Sequence, residues 1–127
     1  MRKHDPMPGP LLERVAEQFK ALAEPSRLRL MNLLFEGEAT VGELVERSGL
    51  SLANVSKHLG QLHQTGWVTR RKEGLNVVYA LADDRVLDLC DLMCSRVQER
   101  AAAEVAASAP STRRGARRVV AVNRPRA

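Results

Sequence analysis

Aromatic side chains are scarce in this chain: two Phe, one Trp and one Tyr among 127 residues. So thin a supply argues against a β-sandwich or barrel and suits a small helical domain. Cysteine is nearly absent. Cys90 and Cys94 have no framework spacing, which excludes a disulfide-stapled secreted scaffold and points to a reducing cytoplasm. No apolar run approaches the ~20 residues of a membrane span, so no membrane partner is expected. The N-terminal MRKHDPMPGP has no apolar stretch behind its charges, and no secretory signal is read there. Catalytic patterns are missing too. There is no phosphate-cradling glycine pattern, no His/Glu zinc signature, and no Ser, His and Asp placed by a motif. An enzyme is not expected.

Charge is present but segregated. The net charge is +5, yet residues 108–127 hold six Arg and no acid. The first 107 residues therefore carry 14 basic against 15 acidic side chains and are close to neutral. Acid is also absent from one internal stretch, the sixteen residues from Leu52 to Trp67. A solvated helix face normally mixes Lys with Glu. A helix whose neighbour is a polyanion would exclude carboxylates, because they would repel phosphates.

The acid-free stretch, LSLANVSKHLGQLHQTGW, reads as a helix with Ser51 as N-cap. Leu52, Val55, Leu59 and Leu62 recur at helical spacing and define an apolar face. At about 100° per residue, Ala53, Lys57, Gly60 and Gln64 point away from it. Asn54 and Gln61 flank that outer face on one side, and Ser56 on the other. Before this helix, Thr40-Val41-Gly42-Glu43 has the form of a capping box, and Ser48-Gly49 breaks the short helix that it starts. A short helix, a tight Gly-containing turn and a longer helix with a polar outer face make a helix-turn-helix.

Upstream, residues 1–10 contain three Pro and one Gly and are expected to be a loose arm. Leu12, Val15, Phe19 and Leu22 mark a first amphipathic helix from Leu11, ending at Glu24-Pro25. Pro25 suits the first turn of a second helix. Leu28, Leu30, Met31, Leu33, Leu34 and Phe35 make that helix apolar on nearly all sides, so it belongs at the centre of the core. After Gly66 the period changes from helical to alternating. Val68-Thr69-Arg70-Arg71-Lys72 and Val77-Val78-Tyr79-Ala80-Leu81, joined through Gly74, read as a hairpin with three cations beside its turn. Such a basic wing can reach phosphates or the minor groove. Asp83 or Asp84 starts a last helix, with Val86, Leu89, Cys90, Met93, Val97 and Ala101 inward. From Ser108 the Arg-rich remainder is expected to be disordered. The organisation is thus an arm (1–10), a domain (11–107) and a tail (108–127). The fold class is mainly α with a small β-hairpin, a winged helix-turn-helix ordered α-α-α-α-β-β-α.

Three segments in this order resemble the arsenic-repressor (ArsR/SmtB) family of bacterial winged-helix regulators. They are Phe19-Lys20-Ala21-Leu22-Ala23-Glu24-Pro25-Ser26-Arg27-Leu28-Arg29-Leu30, then Val55-Ser56-Lys57-His58-Leu59-Gly60-Gln61-Leu62, then Gly66-Trp67-Val68 with Arg71-Lys72-Glu73-Gly74 leading to Tyr79. The resemblance covers about residues 11–100. It implies a homodimer built on the first and last helices, and a repressor of a double-stranded DNA operator that lets go when an inducer binds. It also implies that Asn54, Ser56, Lys57, His58 and Gln61 lie at or near the DNA, with the wing cations. The outer-face reading agrees for Asn54, Lys57 and Gln61, and sets Ser56 and His58 nearer the core flanks. The DNA-binding candidates are therefore Ser51, Asn54, Ser56, Lys57, His58, Gln61, Arg70, Arg71 and Lys72, and the expected operator is an imperfect palindrome.

The family's inducer sites vary. The Cys-x-Cys of its arsenic and lead sensors would fall near Thr40–Leu44, where this chain has no cysteine. The zinc and cobalt type needs histidines on the last helix, which here has Asp88 but no His. Cys90 and Cys94 remain, spaced i, i+4 on one helix face. Such thiols suit a thiophilic metal or metalloid ion, or a reactive sulfur or oxygen species. Equally, both share the apolar face with Val86, Met93 and Val97, where free cysteines commonly serve as packing. Two alternatives stand beside the inducible repressor: a winged-helix protein-interaction module, and a constitutive DNA-binding protein without a sensor.

Overall fold

A computed structural model describes residues 5–108 of the chain. His4 and the Arg-rich segment from Ala109 onward, with the disorder expected of it, lie outside the described residues. The elements are α1 (Gly9–Leu22), α2 (Pro25–Leu34), β1 (Ala39–Thr40), α3 (Val41–Ser48), α4 (Leu52–Gln64), β2 (Val68–Glu73), β3 (Asn76–Leu81) and α5 (Val86–Ser108). They fall into two compact units that divide between Asp83 and Asp84.

In the first unit, α2 is the centre. The Glu24 side chain caps it by accepting from the Arg27 backbone N–H at 2.9 Å, and Pro25 occupies its first turn. Leu30, Met31 and Leu34 are buried, against α1, α3, α4 and β3. Burying a Leu or Met contributes about 1.5–3 kcal/mol, so these residues outweigh the unit's surface polar contacts. The helix is less enclosed than its composition predicts. Leu28 is exposed, and Leu33 and Phe35 are only half-buried.

Helix α1 begins at Gly9, two residues before the expected start, with Leu12 N–H donating to the Pro8 carbonyl at 3.0 Å. Pro10 is tolerated there because first-turn amides have no intrahelical partner anyway. Of the predicted apolar face only Leu22 is buried, while Leu12 and Phe19 are about half exposed. The helix is pinned at Gln18, whose side-chain amide donates to the Thr65 carbonyl (3.0 Å) and whose own carbonyl accepts from Trp67 Nε1 (3.2 Å).

Thr40 closes the capping box. Its Oγ1 accepts from Glu43 N–H at 3.1 Å, and Glu43 Oε1 accepts from Thr40 N–H at 2.8 Å. Gly49 takes φ +76 and ends α3. The buried Ser48 Oγ accepts from Leu50 N–H at 3.1 Å, which closes the turn before α4.

The sheet has three strands, not the expected two, in the antiparallel order β1-β3-β2. The extra strand pairs through Ala39↔Tyr79 and Thr40↔Val78. At two residues, β1 is too short to show an alternating pattern, and Thr40 carries the signature of a helix cap. It serves both roles. Strands β2 and β3 pair from Val68↔Leu81 to Glu73↔Asn76 around a two-residue turn, with Gly74 at φ +63.

The second unit is α5. Val86 is its buried side chain, while Leu92, Met93, Val97 and Val105 are exposed. The inward positions expected at Met93, Val97 and Ala101 are thus uncovered in the single chain. Among the described residues no helix is long and apolar enough to cross a membrane.

Thr40→Ala should remove the cap and lower unfolding free energy by about 0.5–2 kcal/mol. Thr40→Ser, which keeps the acceptor oxygen, should retain most of it. Urea denaturation of the two variants beside the parent checks this.

Candidate nucleic-acid interface

Ser51 Oγ accepts from Asn54 N–H at 3.1 Å and starts α4. Val55, Leu59 and Leu62 are then buried at helical spacing, which fixes the rotation of the helix. Burial begins at Val55, because Leu52 in the first turn is 59 % exposed. Fixing the inner face decides the outer one: Ser51, Asn54, Ser56, Lys57 and Gln61 are all exposed. No carboxylate side chain lies between Ser48 and Glu73 in sequence, and among the described residues none pairs with Lys57.

His58 is not on that face. It is 8 % exposed and belongs to a polar cluster under the helix. Its Nε2 is 3.8 Å from Glu24 Oε1, and its Nδ1 is 3.5 Å from Arg27 Nη1. The helical phase that buries Val55, Leu59 and Leu62 turns His58 inward as well. It meets the start of α2 there instead of solvent.

Arg27 ties the cluster together. Its Nε donates to the Ala21 carbonyl at 2.6 Å and its Nη2 to the Lys20 carbonyl at 3.5 Å, at the C-terminal end of α1 where a cation is favoured. Its Nη1 donates to Gln61 Oε1 at 2.6 Å. Gln61 is exposed while its side-chain oxygen is held. Sequence reasoning missed Arg27 and Glu24 as parts of the site. Both sit in the segment that carries the family resemblance, but no local pattern says that an arginine at the start of α2 reaches a glutamine 34 residues later.

The wing cations divide. Arg70 and Lys72 are exposed and unpaired among the described residues. Arg71 is not free. Its guanidinium forks onto Glu38 (Nη1–Oε2 2.8 Å, Nη2–Oε1 2.9 Å) and also meets Glu73 Oε2 (Nη2, 2.6 Å). The Arg71 hydrogen bonds and charge hold the Glu38 carboxyl below the usual carboxylate range, and the two acids raise Arg71 further above its own.

Cys90 and Cys94 are half-buried on α5 and form no disulfide. Among the described residues no group of three or more His, Cys, Asp or Glu is placed to hold a metal ion. One chain offers two thiols.

The Glu24 carboxyl is lowered from its ordinary value, above all by the Arg27 backbone N–H; burial opposes this as the next largest effect, and His58, the Ser26 backbone N–H and the Arg27 charge lower it further. A depressed carboxyl stabilises the fold above its unfolded pKa and loses that contribution as pH falls through the lower folded value. Glu24→Gln should therefore be less stable than the parent at neutral pH, with the difference closing as pH drops below the ordinary carboxylate range. Thermal unfolding across pH 2–7 checks the sign.

Comparison with known proteins agrees with this geometry. Residues 24–70 match the family described as "Bacterial regulatory protein, arsR family". Over 91 residues the chain is 40% identical to the "Probable mercury resistance operon repressor" of Streptomyces lividans, spanning 72% of this chain and 73% of that one. The crystal structure of Rv0081 from Mycobacterium tuberculosis superposes with a TM-score of 0.71 at 33% identity, over 77% of this chain and 99% of that one. The solution structure of the homodimeric winged helix-turn-helix DNA-binding domain of Mb0332 from Mycobacterium bovis gives a TM-score of 0.66 at 32% identity, covering 79% and 93% respectively. With a capped recognition helix, a paired wing and these relatives, the chain belongs to the arsR family of bacterial regulatory proteins, winged helix-turn-helix DNA-binding transcriptional regulators.

Proposed function

We propose that this regulator is a homodimeric repressor of an imperfectly palindromic operator, released by a thiophilic inducer acting at Cys90 and Cys94. The observation that carries the DNA contact is the exposed, acid-free face of α4, with Asn54, Ser56, Lys57 and Gln61 beside the unpaired wing cations Arg70 and Lys72. Ser51 lies at the N-terminal end of the same helix, where recognition helices meet base edges. Asn and Gln amides suit adenine, and Lys and Arg suit guanine or phosphate. His58 and Arg71 drop out of the DNA-facing set, the first by burial and the second by its two carboxylates.

The exposed apolar residues of α1 (Leu11, Leu12, Phe19) and of α5 (Leu92, Met93, Val97) support the dimer. Faces of this kind mark interaction sites, and the Mb0332 domain is itself described as homodimeric. A protein-interaction module would carry apolar or acidic side chains on the outer face of α4 and the wing; across Ala53, Lys57, Gly60, Gln64 and Arg70–Lys72 this chain has no acid, and its one apolar side chain is the single methyl of Ala53.

For the inducer, the i, i+4 thiols fit a soft ion as donors, and two copies would supply four sulfurs where one supplies two. The mercury resistance repressor among the relatives supports a soft-ion ligand. When bound, such an ion would cross-link thiolates. The chain's own part is to hold two sulfurs half-buried on one helix. That half-burial also favours a second reading, a DNA-binding protein without a sensor, in which Cys90 and Cys94 only pack.

Duplexes selected from random DNA by the full-length protein test the main reading. The selected sites should be inverted repeats with half-sites one turn apart or a multiple of it. Lys57→Ala should weaken binding and reduce the salt slope by about one counterion. A protein that is monomeric by sedimentation yet tightly binds one asymmetric site would refute the dimeric repressor.

Cadmium or mercuric ion should weaken operator binding about 5- to 150-fold, the usual span of allosteric coupling. Cys90→Ser/Cys94→Ser should abolish the effect while keeping DNA binding. Release that persists in the double variant would leave the cysteines as packing residues.

A further inference from the structure

We infer that Arg71 is a positioning residue of the wing, a strut that ties the hairpin to the base of α3, and not a phosphate contact. This rests on the reading that the wing touches DNA. The register places Arg71 opposite Val78, and Val78 opposite Thr40, so these three residues form one row across the strands. Side chains alternate along a strand, so Thr69, Arg71 and Glu73 share one face of β2 while Arg70 and Lys72 occupy the other. Glu38 precedes Thr40 by two positions and shares the Arg71 face.

The Arg71 guanidinium therefore reaches across β3 to Glu38, and meets it fork on fork at 2.8 and 2.9 Å. Its Nε and Nη2 also meet Glu73 Oε2, at 3.2 and 2.6 Å. An arginine has five N–H donors, and four contacts here are already made to protein. One cation between two carboxylates leaves that corner with a net charge of −1, which repels a phosphate. Bidentate arginine–carboxylate pairs supply geometric definition above all. Here the definition matters, because Glu38 stands two residues before the N-cap of α3. The strut sets where Arg70 and Lys72 stand relative to the helix-turn-helix.

The test uses the full-length protein and a duplex selected from random DNA, with affinity measured against salt concentration. Arg70→Ala and Lys72→Ala should each reduce the slope by about one counterion. If neither does, the wing reading itself falls. Arg71→Ala and Glu38→Gln should each lower specific affinity about two- to fivefold, the range of an exposed ion pair, with the parent's slope retained. The double variant should lose no more than either single one, because both break the same link. Arg71→Lys keeps the charge but not the fork and should fail to restore affinity. A slope reduced by about one in Arg71→Ala would overturn the inference. So would a gain of affinity in Glu38→Gln, which would mean that Arg71 is a phosphate contact held in reserve, or unchanged affinity in both variants. Should Arg71→Ala fail to fold, Glu38→Gln alone decides by the sign of its effect.

Discussion

The burial of one face of α4 against α2 is the constraint on which the rest depends. Val55, Leu59 and Leu62 on one side and Leu30, Met31 and Leu34 on the other are essentially inaccessible to water. At about 25 cal/mol per Å² of apolar surface, this interface far exceeds any polar contact nearby. It fixes the rotation of the recognition helix about its own axis. A helix free to roll would present different side chains at different moments, and base edges need the same ones every time. Asn54, Ser56, Lys57 and Gln61 are outward because the leucines are inward.

Polar contacts then refine what burial has fixed. Arg27 lies where α1 ends, α2 begins and α4 passes, and it holds the Gln61 oxygen at 2.6 Å. Glu24 caps α2 and faces His58. These groups are partly solvated, so each link contributes modestly to stability. Their effect is on orientation. They connect the end of α1 to a side chain on the exposed, acid-free face of α4, so that a shift in α1 has a direct route to that face.

Charge is used in two ways on the same hairpin. Arg70 and Lys72 are left unpaired among the described residues, which keeps their field available to a polyanion. Arg71, between them in sequence, is paired with both Glu38 and Glu73 and directs its donors to them. Strand alternation makes this possible, since consecutive residues face opposite sides. Three adjacent cations are thus not one basic patch. The apolar residues Leu12 and Phe19 of α1 and Leu92, Met93 and Val97 of α5 are likewise left exposed by the single chain.

Local physics made most of this architecture legible from the residues themselves. The Thr40 capping box, the Pro25 start of α2, the Ser51 cap, the inward spacing of Val55, Leu59 and Leu62 and the Gly74 turn are short-range patterns, and each appears where it was expected. The two-residue strand β1 was not legible, because a pattern of period two needs more than two residues and its pairing partner lies 38 positions away, at Val78. The burial of His58, the reach of Arg27 to Gln61 and the clamp of Glu38 on Arg71 were likewise decided only by tertiary structure. A side chain's partner across 31 to 34 residues depends on how helices and strands pack, and residue spacing along the chain carries no record of that distance. Residue pattern alone settled the five helices and the hairpin, and which residues carry charge. Packing decided which of those charges are paired within the protein and which stay exposed.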